Sequence, residues 1–115
     1  MKTIYKILIV LLGALLSINA QANEWENITN SSKGQTVYFN AWGGSEAIND
    51  YIRWAGKQVK KRYGLTIKHV KVTDVGDVIS RIIAEKAVNR NSAGSVDLIW
   101  INGENFRSLK DNHLL

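Results

Sequence analysis

The sequence of 115 residues contains no cysteine. It therefore has no disulfide framework, no thiol nucleophile and no cysteine-based zinc site. Its two histidines, His69 and His113, lie far apart, and neither has the spacing of a metal-ligand pair. We therefore expect no metal and no cofactor. A chain of this length without disulfides depends on its hydrophobic core, and a core of this size is marginal.

Motifs for phosphate binding and catalysis are also missing. The segment Gly43-Gly44-Ser45 lacks the spaced second glycine and the Gly-Lys-Ser/Thr ending of a phosphate loop, and no dinucleotide fingerprint occurs. Ser45 has no base near it in the sequence, so a helix N-cap is favoured over a nucleophile. Without a nucleophile, base or metal constellation, the sequence predicts that the protein is not an enzyme.

The formal net charge is +5, but the basic residues form no stripe along the sequence. The densest group comprises Lys57, Lys60, Lys61 and Arg62. It lies at the end of a predicted helix, where positive charge complements the helix dipole. Because no reading motif accompanies the charge, nucleic acid is not expected as a partner.

The one strongly apolar run is at the N-terminus, and it is short. Ile7 to Leu16 spans about ten residues, whereas a membrane-spanning helix needs about 20. Lys2 and Lys6 precede the run and form a positively charged region. Ala20-Gln21-Ala22 places small residues at the two positions that a signal peptidase recognises. Residues 1–22 are therefore predicted to be a signal-peptide helix that is removed after Ala22, which predicts a periplasmic protein.

Residues 23–34 form a polar lead-in without periodicity, and strand and helix patterns alternate over residues 35–115. The predicted strands are Val37–Trp42, Leu65–Val72 and Val96–Ile101. Predicted helices run from Ser45 to Gly64, from Thr73 or Asp74 to about Val88, and from Phe106 onwards. This order predicts an α/β fold (β-α-β-α-β-α) with a three-stranded parallel sheet and helices on both faces. The third strand is nearly all apolar, which is typical of a strand covered on both faces.

Two loops are predicted to meet at the carboxyl ends of these strands, where parallel sheets bind ligands. They are Trp42-Gly43-Gly44-Ser45 and the predicted turn Asn102-Gly103-Glu104-Asn105. Glycines allow the backbone to approach a ligand, and the helices that follow direct N–H groups at the same place. Trp42 could stack on a ligand or belong to the core. Glu104 and Asn105 are favoured as the cap of the last helix over ligand contacts.

The signal peptide, the segment "TVYFNAWGGSEAINDYIRWAGKQVKKRYGLTIKHVKV" and the segment "VDLIWINGENFRSLK" resemble the N-terminal part of bacterial ABC-transporter periplasmic solute-binding proteins of the YnjB type. The resemblance implies a type II periplasmic-binding-protein lobe with the first strand between the other two. It also implies a small-molecule solute at the two loops, delivered to an ABC permease in the inner membrane.

Proteins of that family have two lobes, so the resemblance predicts a chain truncated within its first lobe and unable to complete a binding cleft. A gene fragment, a relic and one half of a split protein are all compatible with this expectation. The alternative is a secreted single-lobe interaction module without a transport role. Exposed strand edges recruit other chains, so we expect self-association or pairing with a missing second half.

Overall fold

The computed structural model of the protein describes residues 23–115, so the predicted signal peptide lies outside the described residues. Of the described residues, 23–33 belong to a first unit and Gly34–Leu115 form a second, compact unit. In the first unit, residues 23–31 form helix α1, which the lead-in's lack of periodicity did not predict. Its hydroxyl groups bond to carbonyls one turn back, as when Thr29 Oγ1 donates to the Glu26 carbonyl at 2.9 Å.

Among residues 23–115, no helix combines the length and the apolar character needed to span a membrane.

The second unit alternates strands and helices throughout. Its elements are β1 (Thr36–Trp42), α2 (Glu46–Tyr63), β2 (Thr66–Val72), α3 (Val75–Ala87), β3 (Leu98–Ile99) and α4 (Gly103–Asp111). The three strands are parallel and lie in the order β2-β1-β3. The predicted α/β fold, the parallel sheet and the central position of the first strand are confirmed.

Helix α2 packs on one face of the sheet, against β2. Phe39 of β1 is paired with His69 on one side and with Leu98 on the other, so these three side chains lie on the same face. Ile67, two residues before His69, shares that face. A Cβ atom placed on Gly56 of α2 would lie 3.6 Å from the Ile67 Cβ, which brings the helix into contact with β2.

Helix α3 covers the opposite face. Asn40 follows Phe39 in β1, so its side chain points to the other side of the sheet. There its Oδ1 accepts a hydrogen bond of 2.8 Å from Nη2 of Arg81 in α3. The sheet is therefore layered between helices, as predicted. The most buried apolar residues are Ala41, Ile52, Val78, Ile79 and Leu109.

Local residue chemistry fixes where α2 ends and α3 begins. Gly64 follows α2 with a φ of 72°, a left-handed conformation that glycine adopts without steric cost, and it closes the helix as predicted. Asp74 precedes α3, and its Oδ1 accepts a hydrogen bond of 2.8 Å from the Gly76 N–H. Of the two predicted caps for this helix, Asp74 is therefore the one used.

The third strand is shorter than predicted, because regular pairing covers only Leu98–Ile99. Just before this strand, the Asp97 carboxylate accepts a hydrogen bond of 2.8 Å from the backbone N–H of Tyr38. In a regular β-ladder a backbone carbonyl would accept that hydrogen bond. Leu98 is 49% exposed and Trp100 is 55% exposed. The prediction that this strand is covered on both faces was therefore wrong within the described unit.

Glu85 lies near the end of α3 and holds the loop that leads to β3. The Ser95 N–H donates to Glu85 Oε2 at 3.2 Å, and Arg90 Nη1 lies 3.8 Å from Glu85 Oε1. The Ser95 side chain and N–H beside the carboxylate, with positive charge from Arg90 and Arg81, lower the pKa of Glu85 below its ordinary value.

This lowered pKa predicts a loss of stability in acid. A carboxyl group whose pKa is lower in the folded state stabilises the fold above its unfolded pKa of about 4.3, and this contribution is lost as pH falls through the folded pKa. We expect Glu85→Gln to weaken the acid dependence of urea unfolding midpoints measured between pH 7 and pH 3. Asp111→Asn, which removes only an exposed partner of Arg107, is the control. Identical pH dependence in parent and Glu85→Gln proteins would contradict this role.

Candidate functional site

A cleft of about 350 Å³ opens at the edge of the sheet where the parallel strands end. Its walls come from the ends of β1 and the chain after β3, and from the starts of α2, α3 and α4. The lining residues are Trp42, Ile48, Val75, Trp100, Ile101 and Asn102. This is the edge at which parallel α/β sheets bind ligands, because the strand ends and the helix N-termini converge there.

Two tryptophans dominate the cleft. Trp42 is the last residue of β1 and is 46% exposed, and Trp100 follows β3 and is 55% exposed. The backbone N–H of Trp100 donates to the Asn40 carbonyl at 2.9 Å, which fixes Trp100 beside β1 just beyond the regular strand. Indole rings offer a large apolar surface and one polar N–H group. The cleft can therefore hold a small molecule mainly through aromatic and apolar contact.

The two glycines after Trp42 leave space for neighbouring side chains. The Gly43 N–H donates to the Val72 carbonyl at 3.0 Å, and a Cβ atom on Gly43 would lie only 2.6 Å from the Lys71 Cβ. A Cβ atom on Gly44 would overlap the indole ring of Trp42. The double glycine therefore lets β1 end close against β2 and lets the Trp42 ring lie over the loop. Neither glycine lines the cleft.

Asn49 holds this loop against α2. It is 2% exposed, and its Nδ2 donates to the Gly43 carbonyl at 3.0 Å. Ser45 occupies the N-cap position of α2, but its side chain makes no capping hydrogen bond. The predicted capping role of its hydroxyl was therefore wrong. The burial of Asn49 could not be predicted from the sequence, because a polar residue within a helical pattern is normally exposed.

The second predicted loop is mostly helix. Asn102 is the N-cap of α4, and its Oδ1 accepts the Asn105 N–H at 3.1 Å. Gly103, Glu104 and Asn105 form the first turn of the helix, so the predicted turn at Asn102–Asn105 was wrong, and the cap is Asn102 rather than Glu104 or Asn105. The reason is that an asparagine side chain can satisfy a first-turn N–H and start the helix earlier.

The structure thus brings one residue from each predicted loop into the cleft, Trp42 and Asn102. The other predicted residues shape the loops or begin α4. Sequence reasoning missed four residues of the lining, Ile48, Val75, Trp100 and Ile101. A signal was present, because Trp100 and Ile101 directly precede Asn102. Their apolar character was instead assigned to a buried strand.

A second groove, of about 480 Å³, lies between α2 and β2. Its cationic lining residues are Arg53, Lys57, Lys60, Lys68 and Lys71. Lys60 Nζ is already engaged, 3.2 Å from the Gly64 carbonyl and 3.1 Å from Thr66 Oγ1, and Lys71 Nζ lies 3.9 Å from Glu46. The positive charge of the groove therefore lies beside β2.

Within residues 23–115, no three histidine, aspartate or glutamate side chains lie close enough together to hold a metal ion.

The chain is similar to Protein YnjB of Escherichia coli (strain K12). The two sequences are 49% identical over 102 residues, which make up 89% of this chain and 26% of YnjB. The chain therefore spans about a quarter of the length of this curated relative. A match of 102 residues in a chain of 115 begins at residue 14 or earlier and ends at residue 102 or later. All the cleft residues therefore lie within the region that is similar to YnjB. No family model matches the sequence. No solved structure matches it either.

Proposed function

We propose that this chain is the solute-binding component of a bacterial ABC importer and that the cleft forms one wall of its solute site. The observation that carries the proposal is the pair of half-exposed tryptophans, Trp42 and Trp100, in an apolar cleft at the carboxyl edge of a parallel sheet. Small-molecule sites are concave and mostly apolar, with a few polar groups that fix orientation. Here Asn102 supplies such a group.

In this proposal the second unit is part of one lobe of a type II periplasmic-binding fold. Trp42 is 46% exposed and Trp100 is 55% exposed, so about half of each side chain remains uncovered. Ligand sites usually bury most of the ligand surface, so a second wall is needed. Polypeptide corresponding to the part of YnjB outside the match would supply it. The complete protein would carry its solute through the periplasm to a permease in the inner membrane.

Solute binding to a chimera tests the proposal. The chimera joins this chain to the part of YnjB outside the match, and it is titrated with a panel of amino acids, sugars, nucleosides and vitamins. Calorimetry measures the affinity. We expect one class of solute to bind, and Trp42→Ala or Trp100→Ala to weaken it about fivefold, because each removes an aromatic contact worth about 1 kcal/mol.

The matched control is Trp54→Ala. Trp54 is 55% exposed, as Trp100 is, but it lies on α2 outside the cleft. We expect this variant to bind the solute as the parent chimera does. Binding that survives both Trp42→Ala and Trp100→Ala unchanged would place the solute elsewhere. A chimera that folds but binds no member of the panel would count against the transport role.

A secreted interaction module without a transport role is the second candidate. It is favoured by one observation, the exposure of Leu98 and Trp100 beside the outer edge of β3. Under this alternative, the apolar residues contact a protein and no solute enters the cleft. The solute titration therefore separates the two candidates.

A further inference from the structure

Helix α2 carries a pair of exposed aromatic rings on the side that faces away from the sheet. Ile52 is 6% exposed and marks the inner side of the helix, which packs mainly against β2. Successive helical residues are rotated by about 100°, so Trp54 projects from the side opposite to Ile52. Trp54 is 55% exposed and Tyr51 is 64% exposed, and their ring centroids lie 5.6 Å apart. The outer side of α2 therefore presents two neighbouring rings to water.

Positive charge adjoins these rings. Residues 51–62 contain no acidic residue, and their basic residues are Arg53, Lys57, Lys60, Lys61 and Arg62. Lys57 and Lys61 follow Trp54 by three and seven residues, a spacing that places them on the same side of a helix. The outer side of α2 is thus aromatic in its first half and cationic in its second.

The positive charge extends from α2 to the neighbouring strand. The groove beside β2 is lined by Lys60 on the helix and by Lys68 and Lys71 on the strand. Along α2, a rise of 1.5 Å per residue separates Arg53 from Arg62 by about 14 Å. We term the aromatic pair, the basic residues of α2 and these two lysines of β2 the basic α2 surface. It is too broad for one small anion to contact all its cations.

We propose that the basic α2 surface binds a lipid bilayer with anionic headgroups. The headgroups would pair with the cations, and the rings of Tyr51 and Trp54 would lie at the boundary between headgroups and hydrocarbon. Tyrosine and tryptophan favour that boundary, because one end of each side chain is apolar and the other is polar. A basic helix that also exposes aromatic residues is typical of proteins that bind membrane surfaces.

The residue types favour a bilayer over an acidic protein as the partner. Lysine is depleted in protein–protein interfaces, whereas clusters of lysine and arginine are typical of segments that bind anionic lipid. The basic α2 surface contains Lys57, Lys60 and Lys61 on the helix, in addition to the two lysines of β2. The proposal involves no solute and is independent of the transport role.

Vesicle sedimentation tests the proposal. The full chain is expressed in a bacterial host, and the secreted protein is mixed with vesicles of phosphatidylcholine or of an equal mixture of phosphatidylcholine and phosphatidylglycerol. We expect binding to the mixed vesicles only. This binding should weaken as the salt concentration rises, because salt screens the attraction between exposed charges.

Charge reversal on the helix identifies the contact. Lys57→Glu and Lys61→Glu are each expected to weaken binding to the mixed vesicles at least about fivefold, since each places a negative charge against anionic lipid. The matched control is Lys110→Glu, which makes the same change at an exposed residue of α4 and should leave the affinity nearly unchanged. All variants keep the same N-terminus, and circular dichroism confirms that their helices are intact.

Tryptophan fluorescence reports on the aromatic pair. Emission should shift to shorter wavelength when mixed vesicles are added, because the Trp54 ring enters a less polar environment. We expect Trp54→Ala to lose this shift. Phe106→Ala removes an aromatic ring that is 47% exposed on α4, and it should retain the shift.

Four results would overturn the proposal. The first is equal binding of mixed vesicles by the Lys57→Glu and Lys110→Glu variants. The second is equal binding of both kinds of vesicle by the parent protein. Displacement by inorganic phosphate, beyond the effect of chloride at the same ionic strength, would show a site for a small anion instead. Binding to polyglutamate as tight as to vesicles, with Trp54→Ala unaffected, would show a surface for an acidic protein.

Discussion

Leu109→Ala is expected to lower the free energy of unfolding by about 2–5 kcal/mol, the range for large-to-small changes in a packed core. Leu109 is the main anchor of α4, being 1% exposed. Helix α4 packs against α3, where Val78 and Ile79 are 1% and 4% exposed. Removing the leucine side chain leaves a cavity that neighbouring residues fill only in part. Single domains are stable by only about 5–15 kcal/mol, so this variant should be close to unfolding.

Urea titration followed by circular dichroism measures this effect. The control is Leu115→Ala, which makes the same chemical change at a residue that is 67% exposed. We expect the control to change the unfolding free energy by no more than about 0.5 kcal/mol. Because α4 begins directly after Asn102, loss of its anchor should also loosen one wall of the cleft. Equal midpoints for the two variants would show that α4 contributes little to the fold.

Arg81→Met is expected to lower the free energy of unfolding by about 1–3 kcal/mol, because it leaves a buried acceptor without its donor. Asn40 is 0% exposed at the centre of the sheet, and Arg81 Nη2 donates to its Oδ1 at 2.8 Å. Methionine keeps most of the arginine stem and removes the guanidinium group. Asn40 Nδ2 would still donate to the Tyr38 carbonyl at 3.3 Å.

Arg107→Met is the matched control for this prediction. The Arg107 side chain is 83% exposed, and its Nε lies 3.6 Å from Asp111 Oδ2, an exposed pair of a kind worth about 0–1 kcal/mol. A double-mutant cycle with Asn40→Ala and Arg81→Met should give a coupling energy of at least about 0.5 kcal/mol. Additive effects in that cycle would show that the hydrogen bond does not stabilise the fold.

The main outline of the fold could be predicted from the sequence because its signals are local. Gly64 closes α2, and Asp74 starts α3, through backbone conformation and one side-chain hydrogen bond respectively. Alternating strand and helix patterns then leave few topologies, since parallel crossovers are right-handed and neighbouring elements pack together. The strand order β2-β1-β3 agrees with the order implied by the resemblance to solute-binding proteins.

The cleft could be predicted only in part. Trp42 and Asn102 could be predicted because Trp42 ends one predicted strand and Asn102 directly follows another, and parallel strands end at one edge. The apolar pattern predicts a buried strand at Trp100, since an apolar run looks the same whether a neighbouring element covers it or not. The exposure of Trp100 depends on which elements pack beside β3. The residues of β3 themselves do not specify those neighbours.

The sequence by itself therefore determined the element order, the end of α2 at Gly64, the start of α3 at Thr73 or Asp74, and the parallel sheet, all of which depend on local chemistry and general topology. Tertiary structure alone decided which side chains meet across long sequence separations. It paired buried Asn40 with Arg81, 41 residues later, and joined lysines of α2 and β2 in one groove. It also left Leu98 and Trp100 exposed beside a free strand edge. Such contacts arise from the packing of whole elements, so no local pattern records them.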